Sequence, residues 1–238
     1  GFNHTDGSSY QAWMWKRGAG FDAVTYTGTG DNSNSGPNST SQIVAHSLGK
    51  SPEMIWVKCR STGYNWYVYH SGQNGGTNPE QYRLRLNMDV MNYTGSSYWN
   101  NTAPTSTYFT LGNDGTVNSG GTTRFIGFLF ASVAGISKCG YYTGNGTSQS
   151  ISLGFQPRFL IIKNATGTAN NWTTGWFTYD TTRGWSAPST THMFLNDAMA
   201  NQTTNGDCAP TATGFDISAG STNYINTNGE TYIYYAHS

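Results

Sequence analysis

One aromatic segment recurs three times in this chain, and any fold has to accommodate every copy. Residues 123–131 read Thr-Arg-Phe-Ile-Gly-Phe-Leu-Phe-Ala and are followed by Tyr142-Thr143-Gly144-Asn145-Gly146. Near the start, Tyr10-Gln11-Ala12-Trp13-Met14-Trp15-Lys16 precedes Tyr26-Thr27-Gly28-Thr29-Gly30, and at the finish stands Tyr232-Ile233-Tyr234-Tyr235-Ala236. Two further blocks keep the same order. Ile55-Trp56-Val57-Lys58 returns 105 residues later as Leu160-Ile161-Ile162-Lys163, and Trp66-Tyr67-Val68-Tyr69-His70 returns 110 later as Trp176-Phe177-Thr178-Tyr179-Asp180. Blocks that hold their order while their spacing drifts mark a tandem duplication whose loops have changed length. The aromatic segment reads as the last strand of one unit and the first of the next. The expected units are therefore 1–124 and 125–238, with strand 123–131 shared at the junction. Three copies for two units also suggest a piece of a longer array or a processed product.

Within each unit the pattern is that of short strands. Trp13 and Trp15 alternate with Ala12 and Met14, and Tyr82 to Asn87 alternates apolar with polar, the period of two that a strand imposes. Met54 to Cys59 is apolar nearly throughout, the mark of a buried strand, and Trp66 to His70 follows a turn as its hairpin partner. No window of about 11 residues keeps helical spacing without Gly or Pro. The chain is expected to be all-β: two tandem antiparallel jelly-roll β-sandwiches, back to back or end to end, since no helices are present to cover a sheet's second face.

Composition narrows the function. Twelve basic and twelve acidic residues cancel, and charged residues are 10% of the chain, so the basic excess of a nucleic-acid binder is missing. No apolar run reaches the roughly 18 residues of a membrane-spanning helix, which argues against membrane insertion. Cys59, Cys139 and Cys208 form no C-x-x-C, which excludes a disulfide framework and a cysteine zinc site.

The blocks Tyr26-Thr27-Gly28-Thr29-Gly30, His46-Ser47-Leu48-Gly49 with Pro52, Ile55-Trp56-Val57-Lys58, Trp66-Tyr67-Val68-Tyr69-His70 and 99–107 give the chain a resemblance to a domain family of tailed bacteriophages. Members carry tandem concanavalin A-like (lectin/glucanase) sandwiches in tail or fibre proteins. The second half departs from these blocks, with Asp180 in place of His70 and Ile161-Ile162 in place of Trp56-Val57. The resemblance implies a structural protein on the virion surface, outside the cell, that attaches to a host or covers other virion proteins. It supplies no catalytic residues. Trimeric display is the fibre-type expectation from it.

The residues lead to a non-enzymatic reading. Glycosidase sandwiches place two carboxylates about 5 Å apart, whereas no two of the acidic residues here lie within four positions of each other. Glycan binding needs aromatic faces with a few polar groups. Tyr93, Tyr98, Trp99 and Asn100 in one loop, and Asn171, Trp172, Arg183 and Trp185 in others, are the candidates. The competing expectation is that Trp99 and Trp172 plug the ends of the sandwiches. Calcium could be offered oxygens by Asp31-Asn32-Ser33-Asn34 and Asn113-Asp114-Gly115, but ordinary turn chemistry explains both, so neither a metal nor another cofactor is expected. The function expected is adhesion to a host-surface glycan. Decoration of a capsid or tail without ligand, and a glycan-degrading depolymerase, are the alternatives. Exposed aromatic strands at both termini would let the protein pair with itself or with other virion proteins.

Overall fold

The computed structural model describes residues 12–30, 41–167, 174–197, 201–204, 207–219 and 224–238. Its first strands are β1 (Phe21–Thr27), β2 (Gln42–Ala45), β3 (Met54–Cys59), β4 (Tyr67–His70), β5 (Tyr82–Arg85), β6 (Tyr93–Thr94), β7 (Tyr108–Leu111) and β8 (Arg124–Phe130). They are followed by β9 (Ser137–Thr143), β10 (Gln149–Ser152), β11 (Phe159–Asn164), β12 (Trp176–Asp180), β13 (Thr190–Phe194), β14 (Gln202–Thr204), β15 (Cys208–Thr211), β16 (Gly214–Ile217) and β17 (Thr231–His237). Two one-turn helices, α1 (Ser96–Trp99) and α2 (Gly115–Asn118), interrupt the first half. The chain is all-β, and its named strands pair antiparallel. Among the described residues no helix is long and apolar enough to cross a membrane.

Each half of the chain makes one six-stranded sheet, in the order β1-β8-β3-β4-β5-β6 and β9-β17-β11-β12-β13-β14. A smaller sheet lies against each, β2-β7 in the first half and β10-β16-β15 in the second. Registers correspond too: Tyr26 faces Phe125 as Tyr142 faces Tyr232, and Val44 faces Phe109 as Ile151 faces Phe215. Along β3, Ile55, Val57 and Cys59 join the core under the small sheet, while Met54 and Trp56 point the other way. Along β11, Leu160 and Ile162 do the first, Phe159 and Ile161 the second. The outward side chains of both large sheets meet in one shared cluster with Phe130, Trp176 and Tyr235. The large sheets therefore pack back to back, in four layers. Strands buried on both faces have no polar side to show, which is why β3 and β11 are apolar at nearly every position.

Three expectations are corrected here. First, β8 bonds to β1 on one side and β3 on the other, wholly within the first sheet. The passage between sheets falls between Phe130 and Ser137, not at 124/125, and the aromatic strand is not shared. Second, β17 lies between β11 and β9, with Tyr232 to Ala236 buried, so the C-terminal strand offers no open edge. Third, residues 12–16 form no strand. The ladder on both sides of β8 and of β17 is already filled, so a further aromatic copy has no equivalent place. Its tryptophans instead close the seam between the sheets. The Trp13 indole N–H donates to Asp180 Oδ2 at 2.8 Å, and the Trp15 ring lies 5.6–6.3 Å from Phe130, Phe159, Phe21 and Trp56.

The Tyr-Thr-Gly-x-Gly echo has the same work in both halves. The Tyr26 hydroxyl donates to the Val117 carbonyl at 2.8 Å, and Tyr142 donates to Ile225 at 2.7 Å. The next residue in each case is a fully buried asparagine, Asn118 or Asn226. Its side-chain oxygen accepts the backbone N–H of Thr29 (2.9 Å) or Asn145 (3.0 Å), and its carbonyl accepts Gly30 or Gly146 at 3.0 Å. The chains come so close that a Cβ on Gly28 would lie 2.0 Å from the Ser119 carbonyl oxygen, and one on Gly144 would lie 2.1 Å from that of Thr227. Only glycine fits.

His70 ties the two halves together. It is fully buried, its Nδ1 accepts the Gly72 N–H at 3.0 Å, and its Nε2 lies 3.0 Å from the Tyr234 carbonyl in the second half. With Nδ1 accepting, Nε2 must carry the proton and donate. Burial lowers its pKa to about 4, from an ordinary 6.5. Between those values the unfolded chain takes up a proton that the folded chain refuses, so this contribution is complete above pH 6.5 and lost as pH falls toward 4. We expect roughly 2–3 kcal/mol less stability from this residue at pH 4.5 than at pH 7. Urea unfolding at the two pH values checks it, and His70→Gln should remove this residue's share of the dependence. An equally steep profile in the variant would remove His70 as the cause.

Candidate inner-face site

Each six-stranded sheet has an inner face, turned toward its small sheet. In the first half, α1 also lies against it. Along β5, Leu84 turns into the core between the large sheets, so period-two alternation sends Arg83 and Arg85 to the inner face together. There they meet tyrosines from three elements. The Arg83 guanidinium carbon lies 4.2 Å from the ring centre of Tyr98, 5.0 Å from that of Tyr93 and 5.6 Å from that of Tyr67. Arg85 lies 5.8 Å from both Tyr67 and Tyr93. A guanidinium is attracted to the negative face of an aromatic ring at such distances. Its N–H groups are another matter: Nε and Nη1 of Arg83 and Nε of Arg85 are buried with no hydrogen-bond partner among the described residues. Arg85 Nη1 donates to the Met88 sulfur at 3.3 Å.

The helix α1 sets this cluster and corrects two assignments. It ends at Asn100 and Asn101, both in the left-handed region (φ 53° and 46°), a conformation asparagine tolerates better than most residues. The turn drives Tyr98 and Trp99 inward. Trp99 is 2% exposed, donates its indole N–H to the Tyr82 carbonyl at 3.0 Å and packs edge-on to Tyr69 at 5.8 Å. It is a plug in the first half's core, not a stacking platform. Tyr98 is also buried, against Tyr67 at 5.0 Å. Tyr93 is 41% exposed, and Asn100 is exposed beside the helix.

In the second half, Trp185 is corrected in the same way: it is 1% exposed and donates to the Cys208 carbonyl at 3.0 Å. Arg183 is half-buried, with its guanidinium against the Met193 sulfur. Neither belongs to the tyrosine cluster. Asn171 and Trp172 lie outside the described residues, as do Asp31 to Asn34. Asp114 caps α2 by accepting the Thr116 N–H at 2.9 Å, the turn chemistry expected of it. Among the described residues no three His, Cys, Asp or Glu side chains converge as a metal site.

Register identifies the matching place in the second half. Tyr67 pairs with Arg85 and Phe177 with Phe194; Arg83 pairs with Tyr93 and His192 with Gln202. Arg83, Arg85 and Tyr93 thus correspond to His192, Phe194 and Gln202. Here a cavity of about 190 Å³ opens, walled by Phe177, Phe194 and Tyr224, with His192, Gln202, Thr204 and Asp207 as its polar groups. His192 is 6% exposed, and its buried Nδ1 has no partner among the described residues. Burial lowers its pKa to about 4, against the opposing pull of Asp207, so it is neutral at pH 7. Sequence reasoning named Tyr93 and Tyr98 of the first place but missed Arg83, Arg85 and Tyr67 beside them, and it missed the second place altogether. The signal for the first was Arg83-Leu84-Arg85, which puts two cations on one face of a strand.

No curated protein and no solved structure matches the chain. The profile of the domain of unknown function DUF7483 matches residues 1–238, and the chain therefore belongs to that family.

Proposed function

We propose that this chain is a non-enzymatic, virion-surface adhesion protein of the tailed-phage kind, and that its inner sheet faces bind host-surface glycan. The observation that carries the reading is the second-half cavity, in which aromatic walls meet four polar side chains and one buried imidazole nitrogen has no partner among the described residues. Sugar rings present C–H faces to aromatic walls and hydroxyls to such groups. Self-association, as a trimer on a fibre, belongs to the same reading.

The test is a glycan array together with host-cell polysaccharide, following both binding and release of reducing ends. Binding without cleavage, weakened about tenfold or more by Asp207→Ala or Tyr224→Ala in a folded protein, supports adhesion. Release of reducing ends would replace it with a depolymerase. Neither binding nor release would leave decoration of the particle as the function.

A further inference from the structure

We infer that the first-half inner face binds the carboxylate of an acidic sugar; this rests on the glycan-binding reading above. The argument starts from charge. Arg83 and Arg85 project from alternate positions of one strand to one face, and their guanidinium groups share Tyr67 and Tyr93 as neighbours. Arg17 pairs with Asp22 at 2.6 Å, whereas among the described residues neither Arg83 nor Arg85 has a carboxylate partner. Two like charges on one face repel each other, and the carboxylate beside the cluster, Asp114 against Tyr98, pairs with neither of them; an anion between them relieves that repulsion.

Hydrogen bonding points the same way. A guanidinium has five N–H donors, and among the described residues the Arg83 side chain makes no hydrogen bond at all. Tyrosine rings lie against it at 4.2 and 5.0 Å, so the guanidinium fork is held in place before any ligand arrives, with Nε and Nη1 closed to solvent and Nη2 left to meet a ligand. An N–H donor carrying this charge makes a charge-assisted hydrogen bond to a carboxylate. Tyr93, the exposed ring of the cluster, stands beside the fork and offers a face for a sugar ring to stack on. A carboxylate attached to a pyranose meets both features at once. The second-half position has neutral His192, Gln202 and Phe194 instead, so the two halves are selective for different sugars, acidic in the first and neutral in the second.

The test is isothermal titration with a panel of uronate- and sialate-containing oligosaccharides, each paired with its carboxyl-reduced form, and with inorganic sulfate as a free anion. The expected result is that at least one acidic member binds roughly tenfold or more tightly than its reduced partner, with affinity falling as salt rises. Arg85→Gln should remove that preference. Arg83→Lys keeps the charge but not the fork, and should weaken binding as well. Thermal unfolding of both variants shows that they remain folded. If acidic and reduced members bind equally and the variants change nothing, this inference falls while glycan binding stands. If no oligosaccharide binds, both fall. If sulfate binds as tightly as the best acidic sugar, the site takes free anions and the sugar assignment is overturned.

Discussion

Trp99→Ala is expected to lower the unfolding free energy by about 3–5 kcal/mol, the range for truncating a large aromatic side chain in a packed core. Two losses combine. The ring is 2% exposed and packs against Tyr69, so its removal opens a void under α1 that the stiff sheet cannot collapse to fill. The Tyr82 carbonyl also loses the indole N–H that bonds it at 3.0 Å. Chemical denaturation followed by circular dichroism measures the change. Tyr93→Ala, six positions earlier in the chain but 41% exposed, should cost less than about 1 kcal/mol. A small effect of Trp99→Ala would show that α1 is dispensable and that the indole does not plug the core.

The second large effect belongs to the buried asparagines. Asn118→Ala should destabilise by roughly 3 kcal/mol, because a buried hydrogen-bonding group left unmatched costs about 1–3 kcal/mol and two are affected. The Gly112 carbonyl loses the amide donor at 2.8 Å, and the Thr29 N–H loses its acceptor at 2.9 Å. Asn226→Ala should cost at least as much. Besides the Asn145 N–H, its amide serves the Thr147 carbonyl at 2.6 Å and the Gln149 side chain at 2.6 Å. Unfolding curves for both variants, compared with Asn145→Ala as an exposed control, decide the matter. If one asparagine matters and the other does not, the equivalence of the two clasps is superficial.

How far the chain can be read in advance depended on whether a residue's fate is set locally. Met54 to Cys59 and Phe159 to Asn164 announce themselves because burial on both faces removes every polar position. The hairpin from Met54 to His70 follows from its turn. The strands Gln202–Thr204 and Cys208–Thr211 carry no such signal, being short and largely polar or interrupted by Pro210. Residues 12–16 look like strand β8 because they carry the same aromatics. Ladder positions are a property of the assembled sheet, and no sequence pattern reveals that they are taken. Trp99 and Trp185 show the same limit: a tryptophan between strands can face either way, and only the path of α1 or the position of Cys208 decides it. Arg83 and Arg85 were visible as an alternation, but their tyrosine partners come from β4, β6 and α1 and converge only on folding.

The shared back of the two large sheets has a consequence for valency. Since each inner face is turned away from the other, a rigid plane can be met by one face at a time, and two equal sites would then give no avidity over one. A hydrated mesh of polysaccharide is different. Under the proposed glycan binding, strands on either side of the protein would both be within reach, and a single molecule would bridge them as a crosslink.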